Sequence, residues 1–236
     1  MLNRTSRHLR RFINDNPLGL LITALDSSTF PRIQCTHIPW VLDVIDDGSE
    51  LGIAKLRGHL AKQNPHAKAL IDILQNSSKN NKQLGEEVSV TFTGSAQHYV
   101  TPKFYVETKP STGKVVPTWN YSAVQVYGKA TVFHDSKAQE TSTFLQTQIH
   151  DLSNHAETSI MGYQKPWNVD DAPEKYIDLL RKNIIGIEIE ITRLEGKHKM
   201  SQELKPADRE GVIEGFRALQ NETGSQIADM VKQRSS

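Results

Sequence analysis

Alternating apolar and polar positions recur along much of this chain and predict a mainly β protein. The clearest case is the segment 184–194, in which isoleucines at every second position alternate with Gly186, Glu188, Glu190 and Thr192. Strict alternation is typical of a strand with one buried face and one polar face. We therefore expect a strand here whose isoleucine face packs into the core.

Similar patterns occur elsewhere, and Asp46-Asp47-Gly48 predicts a hairpin turn, because Asp-Gly is a favoured turn pair. Successive antiparallel strands joined in this way are typical of a meander or a barrel. Between the predicted strands, three segments are polar and predict loops. The predicted strands are 19–25, 32–43, 50–59, 87–94, 97–102, 122–134 and 184–194, and the predicted loops are 75–85, 103–116 and 195–205.

Five segments instead repeat their apolar residues with the 3.6-residue period of a helix. The third segment, 137–152, follows Asp135 and Ser136, either of which is a favoured N-cap residue. The final segment is expected to form two helices that are broken near Thr223-Gly224. The predicted helices are 5–14, 65–74, 137–152, 174–182 and 207–232.

Length and composition narrow the class of protein. The 236 residues contain no linker-like segment, so we expect a single domain, 1–236, with a helical extension from about residue 196. With 28 basic and 27 acidic residues the net charge is +1, which argues against a nucleic-acid-binding surface. No apolar run approaches the length of a membrane span, and the arginine-rich N-terminus lacks a signal-peptide core. We therefore expect a soluble, cytoplasmic protein.

The single cysteine, Cys35, excludes an internal disulfide framework and a cysteine-based zinc site. Because it lies in a predicted strand, we expect it to be buried and inert. The nine histidines show no HExxH spacing, and no serine lies in a GxSxG motif. The sequence therefore assigns no metal ligand and no catalytic residue.

The first candidate site is the segment 56–65, which reads as the end of a strand followed by the start of a helix. Asn64 is a plausible N-cap and Pro65 suits the first helical turn. A helix N-terminus favours an anion, and Arg57 and Lys62 add full charges beside His59. These residues predict a phosphate site, and the alternative is an ordinary solvated basic surface.

The second candidate site lies just before a predicted strand. Thr118, Trp119, Asn120 and Tyr121 place two aromatic rings beside a hydroxyl and an amide. This composition suits the binding of a flat heterocycle. The alternative is an aromatic turn that packs on the edge of the sheet.

Five segments together resemble the PaiB family, which is built on the FMN-binding split barrel and is related in fold to pyridoxamine-phosphate oxidases. They occur in the same order as in the family and span nearly the whole chain. Each segment alone would be weak evidence for the family, but the five together are specific. The segments are Cys35–Pro39, Gly58–Pro65, Val115–Tyr121, Val126–Lys129 and Lys199–Gln202.

The resemblance implies a split β-barrel with helices packed around it and at the C-terminus, and FMN as the cofactor. It assigns Arg57 and Lys62 to the FMN phosphate, with His59 and Asn64 near the phosphate or the ribityl chain. It also implies a homodimer with the flavin near the subunit interface. In the same way, the residues expected to line the isoalloxazine or the substrate space are Thr118, Trp119, Asn120 and Tyr121.

Three functional classes are compatible with this resemblance. The first is an FMN-dependent oxidoreductase acting on a small molecule, with a reduced nicotinamide as a potential electron donor. The second is a flavin-binding regulator or sensor, as the PaiB name implies, although the neutral charge and the lack of a helix-turn-helix pattern count against it. The third is a haem-binding or haem-degrading split barrel.

Overall fold

The computed structural model describes residues 6–45, 53–76 and 82–234. Within these ranges the chain divides into two compact units, of which one contains 6–92 and 125–195 and the other contains 93–124 and 196–234. The expected single domain, 1–236, stays a prediction, and the expected turn at Asp46-Asp47-Gly48 lies outside the described residues. No helix in the described ranges is long and apolar enough to cross a membrane.

The predicted split barrel is confirmed. The sheet order is β4-β1-β2-β3-β7-β6-β5, and β4 also pairs with β6, so six antiparallel strands close into a barrel and β5 extends from β6. Closure removes the free edges that an open sheet would expose. The strands are β1 (Leu18–Ala24), β2 (Ile33–Ile45), β3 (Ile53–Ala61), β4 (Gln83–Thr93), β5 (His98–Val100), β6 (Thr118–Phe133) and β7 (Ile184–Lys199).

The isoleucine face of β7 packs into the core as its alternation predicts. Ile185, Ile187 and Ile189 are buried, whereas Glu190 on the opposite face is exposed. Glu188 on that face pairs with Lys55 of β3, with 2.8 Å between Oε1 and Nζ. The polar face of β7 is therefore stabilised by cross-strand pairing as well as by water.

Four helices belong to the unit that contains most of the barrel. They are α1 (Ser6–Asp15), α2 (Pro65–Asn76), α4 (Gln139–His155) and α5 (Glu174–Lys182). A π-helical turn at Ala156–Ile160 extends α4, and a 3-10 turn at Val169–Asp171 precedes α5. Helix α4 packs on β2 and β3, while α1 packs on β2.

The other unit has its own apolar core. It contains β5, a 3-10 turn at Pro102–Phe104, and the helices α3 (Thr108–Thr112), α6 (Pro206–Arg217) and α7 (Glu222–Gln233). Phe216 is fully buried at the centre, between the rings of Phe104 and His98. This C-terminal core consists of Ala96, Val100, Tyr105, Met200, Val212, Ile213, Phe216, Ile227, Ala228 and Val231.

Several element boundaries differ from the sequence-based predictions, and the predicted loop 103–116 contains the short helix α3. Strand β6 begins at Thr118, so the second candidate site lies within the strand and not before it. Strand β7 continues to Lys199 through part of the predicted loop 195–205. Strand β4 begins at Gln83, four residues earlier than predicted. In each case sheet pairing extends the strand through residues whose local pattern is polar.

One cap prediction and one burial prediction were also wrong. Helix α4 begins after Ala138 with no side-chain cap, so neither Asp135 nor Ser136 caps it. The last two helices break between Arg217 and Glu222, close to the predicted Thr223-Gly224, and Asn221 caps α7 by accepting a hydrogen bond from the Gly224 N–H at 2.8 Å. Cys35 is exposed, because the even-numbered residues Ile38 and Trp40 of β2 face the core.

Candidate functional site

The first candidate site forms the predicted corner between a strand and a helix. Strand β3 ends at Ala61, and α2 begins at Pro65. Asn64 is the N-cap, since its Oδ1 accepts a hydrogen bond from the His66 N–H at 2.9 Å. Its backbone carbonyl accepts a bond from the Lys68 N–H at 3.1 Å. Two donors of the first turn are therefore satisfied within the chain.

Arg57 is held between two carboxylates. Its Nη2 donates to Asp43 Oδ1 at 2.9 Å and to Asp151 Oδ2 at 2.7 Å, and its Nε donates to the other oxygen of Asp43. The hydrogen bonds that Arg57 donates to Asp43 and, to a lesser extent, to Asp151 raise the pKa of Arg57 further above its ordinary value, against the opposing effect of burial. The guanidinium thus joins β3 to β2 and to α4.

Part of Arg57 nevertheless remains unpaired. Its Nη1 is buried and has no hydrogen-bond partner among the described residues. A buried donor without an acceptor is costly, so this atom indicates a place where an acceptor from outside the chain would be favourable. Neither Asp43 nor Asp151 was identified from the sequence, because Asp151 lies 94 residues from Arg57 and nothing local links them.

His59 and Lys62 provide further unpaired groups at the same end of β3. The Nδ1 atom of His59 is buried without a partner in the described part of the chain, and burial lowers the pKa of this imidazole below its ordinary value. The Lys62 backbone N–H bonds to the Asn183 carbonyl at 2.9 Å, but its ammonium group makes no ion pair with any described residue. A neutral imidazole and a free ammonium group are suitable partners for a phosphate.

His66 is a buried titratable group that the sequence analysis did not single out. It lies on the first turn of α2 and is 1% exposed. Its Nε2 lies 2.9 Å from Thr23 Oγ1 and its Nδ1 lies 3.0 Å from Thr36 Oγ1. Burial lowers the pKa of His66 to about 4. His66 is therefore neutral near pH 7 and ties α2 to β1 and β2.

The second candidate site occupies the first four residues of β6, and the strand distributes them between two faces. Asn120 is fully buried, whereas the residue before it, Trp119, lies on the other face of the strand and is 48% exposed. The Trp119 ring meets the exposed ring of Tyr99 edge-on, with 6.4 Å between centroids. Thr118 and Tyr121 are half-buried. The structure therefore does not place all four side chains on one surface.

The buried face of this strand contacts another segment of the family resemblance. Asn120 and Ser201 form a reciprocal pair in which Nδ2 donates to Oγ at 3.0 Å and Oγ lies 3.1 Å from Oδ1. Thr118 accepts a hydrogen bond from the Lys199 ammonium, and Ser122 Oγ lies 2.9 Å from His198 Nδ1. The start of β6 and the segment 198–201 thus form one polar seam.

The predicted site residues fall into two groups, which lie in different compact units. Arg57 and His59 lie in the second half of β3, and Lys62 and Asn64 lie in the short connection from β3 to α2, so the four residues belong to one continuous stretch of chain. Thr118 and Asn120 are brought together with the segment 198–201. The assignment of individual residues to the FMN phosphate and to the isoalloxazine stays a prediction.

The family described as "Putative FMN-binding domain" matches residues 2–193, which is most of the chain. The chain belongs to this FMN-binding family. FMN is therefore its cofactor, and the resemblance to PaiB-type proteins is confirmed.

Three proteins illustrate the range of similarity to other members and folds. An uncharacterised protein of Aspergillus fumigatus is 56% identical over 240 residues, covering 96% of this chain and 92% of its own length. Protease synthase and sporulation protein PAI 2 of Bacillus subtilis is 24% identical over 223 residues, which cover 94% of this chain and 89% of that protein. The crystal structure of a conserved hypothetical protein of Mycobacterium tuberculosis is similar with a TM-score of 0.48 and 13% sequence identity, and the match covers 86% of this chain and 91% of that one.

The corner after β3 fits the phosphate-bearing end of FMN. Lys62 offers a full charge that no described carboxylate neutralises, and His59 offers a buried ring nitrogen that lacks a partner. Arg57 differs, because two carboxylates already more than neutralise its single charge and only Nη1 remains without a partner. We therefore expect Lys62 and His59 to contribute most of the direct binding, with Arg57 mainly fixing the position of β3.

Proposed function

We propose that this protein is an FMN-dependent oxidoreductase acting on a small molecule. The observation that supports this proposal is the buried His59 ring nitrogen without a partner, together with a Lys62 ammonium that makes no ion pair with a described residue, in a chain that belongs to an FMN-binding family. When bound, FMN supplies the electron-transfer chemistry, so the protein needs only to bind, orient and shield it. With electron transfer assigned to the cofactor, the protein needs no catalytic nucleophile or metal ligand of its own, and the sequence contains no recognisable motif for either.

Each residue of the corner has a defined task in this proposal. Lys62 neutralises the phosphate, and the neutral His59 ring forms a hydrogen bond to the phosphate or the ribityl chain. Asn64 keeps the first turn of α2 in place through its bond to His66. For the second candidate site, the exposed ring of Trp119 and the half-buried ring of Tyr121, two residues further along β6, are the groups best suited to stack on a flat ligand.

The visible absorption spectrum of the purified protein tests cofactor binding directly. We expect the two visible-region bands of an oxidised flavin after purification or after addition of FMN. A Soret band would instead support the haem-binding alternative. Colourless protein that also fails to bind added FMN would contradict the proposal.

Replacing Lys62 by Ala tests the phosphate assignment. Because a hydrogen bond to a charged group contributes about 1.5–3 kcal/mol, FMN affinity should fall at least about tenfold. Lys68→Ala is the matched control, since Lys68 lies nearby on α2 with an exposed side chain and should leave affinity unchanged. A Lys62→Ala/Arg57→Ala variant that binds FMN with unchanged affinity would refute the assignment.

Anaerobic addition of NADH or NADPH to the flavin-loaded protein tests the oxidoreductase step. Loss of the visible flavin bands, and their return in air, would support a nicotinamide as electron donor. A different result would favour the second candidate function, a flavin-binding regulator. In that result the flavin binds, but neither NADH nor NADPH reduces it and no small-molecule acceptor is turned over.

The second candidate is a flavin-binding regulator. It is supported by the similarity to the Bacillus subtilis protein, whose name refers to protease synthesis and sporulation. The net charge of +1 provides little attraction for nucleic acid, so such a regulator would act through another protein more readily than through DNA. Salt-dependent retardation of DNA by the flavin-loaded protein would contradict this expectation.

A homodimer in the cytoplasm, with the flavin near the subunit interface, completes the proposal. Large exposed apolar side chains support self-association, because such groups usually mark interaction surfaces. Tyr176, Leu179 and Leu180 of α5 are exposed, and so is Trp167 before it. Cell fractionation tests the location, and loss of FMN on dilution into monomers would support an interface site.

A further inference from the structure

A groove on the barrel-containing unit is lined on one side by the arginines of α1. Its volume is about 850 Å³, and β2 and the π-helical end of α4 form its other walls. Volumes of this size are typical of small-molecule sites. None of the four residues assigned to the FMN phosphate lines it. It is therefore a separate candidate for ligand binding.

The arginines follow the spacing of one helical face. Arg7, Arg10 and Arg11 all line the groove, as expected for positions three and four residues apart. Among the residues that the structure describes, Asp15 is the only carboxylate that lines it, and its Oδ2 lies 3.6 Å from Arg11 Nε in an exposed pair. Such pairs are weak, so the groove keeps a positive potential.

Arg10 provides the most specific observation. Its Nε and Nη2 atoms are buried, and neither has a hydrogen-bond partner within the described part of the chain. Buried donors of a charged group require an acceptor, and a phosphate accepts two parallel N–H bonds from a guanidinium. The exposed Arg7, one turn earlier, makes no ion pair with a described residue and is free to add a second contact.

The remaining walls are partly apolar. Val44 of β2 and Ile160 of the π-helical turn line the groove and are 41% and 56% exposed. His155 Nε2 lies 3.3 Å from the Asn14 carbonyl oxygen and links the end of α4 to α1. The groove therefore offers apolar surface opposite a cationic helix face, a pairing that suits a molecule with a flat apolar body and an anionic end.

We propose that the α1 groove binds a nucleotide-like ligand that carries a phosphate. Arg10 and Arg7 hold the phosphate, and Val44 and Ile160 contact the apolar body. This site is additional to the flavin site.

Calorimetric titration of the full chain as purified tests the proposal, with the flavin spectrum recorded in parallel. The probes are ADP, adenosine and inorganic phosphate. We expect ADP to bind more tightly than either of the other two, because it alone uses both walls. Arg10→Gln and Arg7→Gln should each weaken ADP binding, by about tenfold or more for Arg10, and leave adenosine binding unchanged.

Two further variants sharpen the comparison. Arg32→Gln is the control, since Arg32 is exposed and does not line the groove. It should bind ADP as the parent does. Ile160→Ser should weaken ADP binding without changing phosphate binding. Circular dichroism verifies that every variant folds. If Arg10→Gln does not fold, the ADP affinity of Arg7→Gln still tests the phosphate contact.

Three results would overturn the proposal. They are ADP affinity that does not depend on Arg7 or Arg10, equal affinities for ADP and phosphate, and release of FMN by ADP. The last result would place the flavin itself in the groove. Absence of flavin bands with ADP binding intact would contradict the oxidoreductase proposal and leave this one standing.

Discussion

At the scale of single residues, His66 couples the stability of the barrel to pH. Its imidazole is neutral and accepts or donates bonds to two threonine hydroxyls, so a proton added in the folded state would leave a buried charge without a counter-ion. In the unfolded chain the same ring has a pKa near 6.5, whereas in the folded protein its pKa is about 4.

Stability should therefore fall as the pH decreases from 6.5 to about 4. Over this window the unfolded state binds more protons than the folded state, and the shift corresponds to about 3 kcal/mol. Denaturant unfolding at several pH values measures it. His66→Gln should flatten the dependence, and the remaining slope should include a contribution of the same sign from His59, whose pKa is also lowered. An unchanged slope in His66→Gln would contradict this account.

Arg57 provides a contrast between buried and exposed ion pairs. Replacing it by Leu leaves Asp43 and Asp151 without their shared cation, and because both carboxylates are partly exposed we expect a loss of about 2 kcal/mol in unfolding free energy. Lys82→Ala removes an exposed pair with Glu140 and should change stability by less than about 0.5 kcal/mol. Equal effects of the two changes in urea unfolding would argue against a structural role for Arg57.

At the scale of elements, the close approach of β6 to β7 depends on Gly128. A Cβ at this position would lie 2.0 Å from the Glu190 carbonyl oxygen, so Gly128→Ala should destabilise the protein by about 2 kcal/mol or more. Gly85 of β4 is the matched control, because a Cβ there meets nothing within 4 Å. Gly85→Ala should be nearly neutral. Urea unfolding midpoints of the two variants measure the difference.

Patterns that one element carries alone were predictable from the sequence. The isoleucine repeat of β7 and the Asn64-Pro65 start of α2 were both identified correctly, because alternation and capping are local. Cys35 shows the limit of this reasoning. Alternation in β2 defines two faces, but only the tertiary structure shows that Ile38 and Trp40, and not Cys35, face the core.

The candidate site was predictable to a similar extent. The cluster of Arg57, His59, Lys62 and Asn64 follows from one continuous stretch of sequence. The ion pairs of Arg57 with Asp43 and Asp151 do not follow from that stretch. They depend on how β2 and α4 pack beside β3. The pairing of Asn120 with Ser201 likewise joins residues 81 positions apart. Contacts between distant segments carry no local signal.

At the scale of the whole molecule, we predict a homodimer. Sedimentation equilibrium should give twice the chain mass. Leu179→Asp places a charge on an exposed apolar face of α5 and should shift the protein toward monomer, whereas Lys175→Asp on the same helix serves as the control for added charge. Monomeric parent protein that still binds FMN tightly would contradict the dimer prediction and leave flavin binding intact.

The C-terminal core also has a consequence for biosynthesis. Ala96, Val100 and Tyr105 pack against residues between Met200 and Val231, so their apolar surfaces have no partner while the ribosome is still making the intervening hundred or so residues. This unit of the protein is assembled only after the residues up to about Val231 have been made. A premature stop before α6 would leave those surfaces uncovered, and the shortened product should aggregate or be degraded.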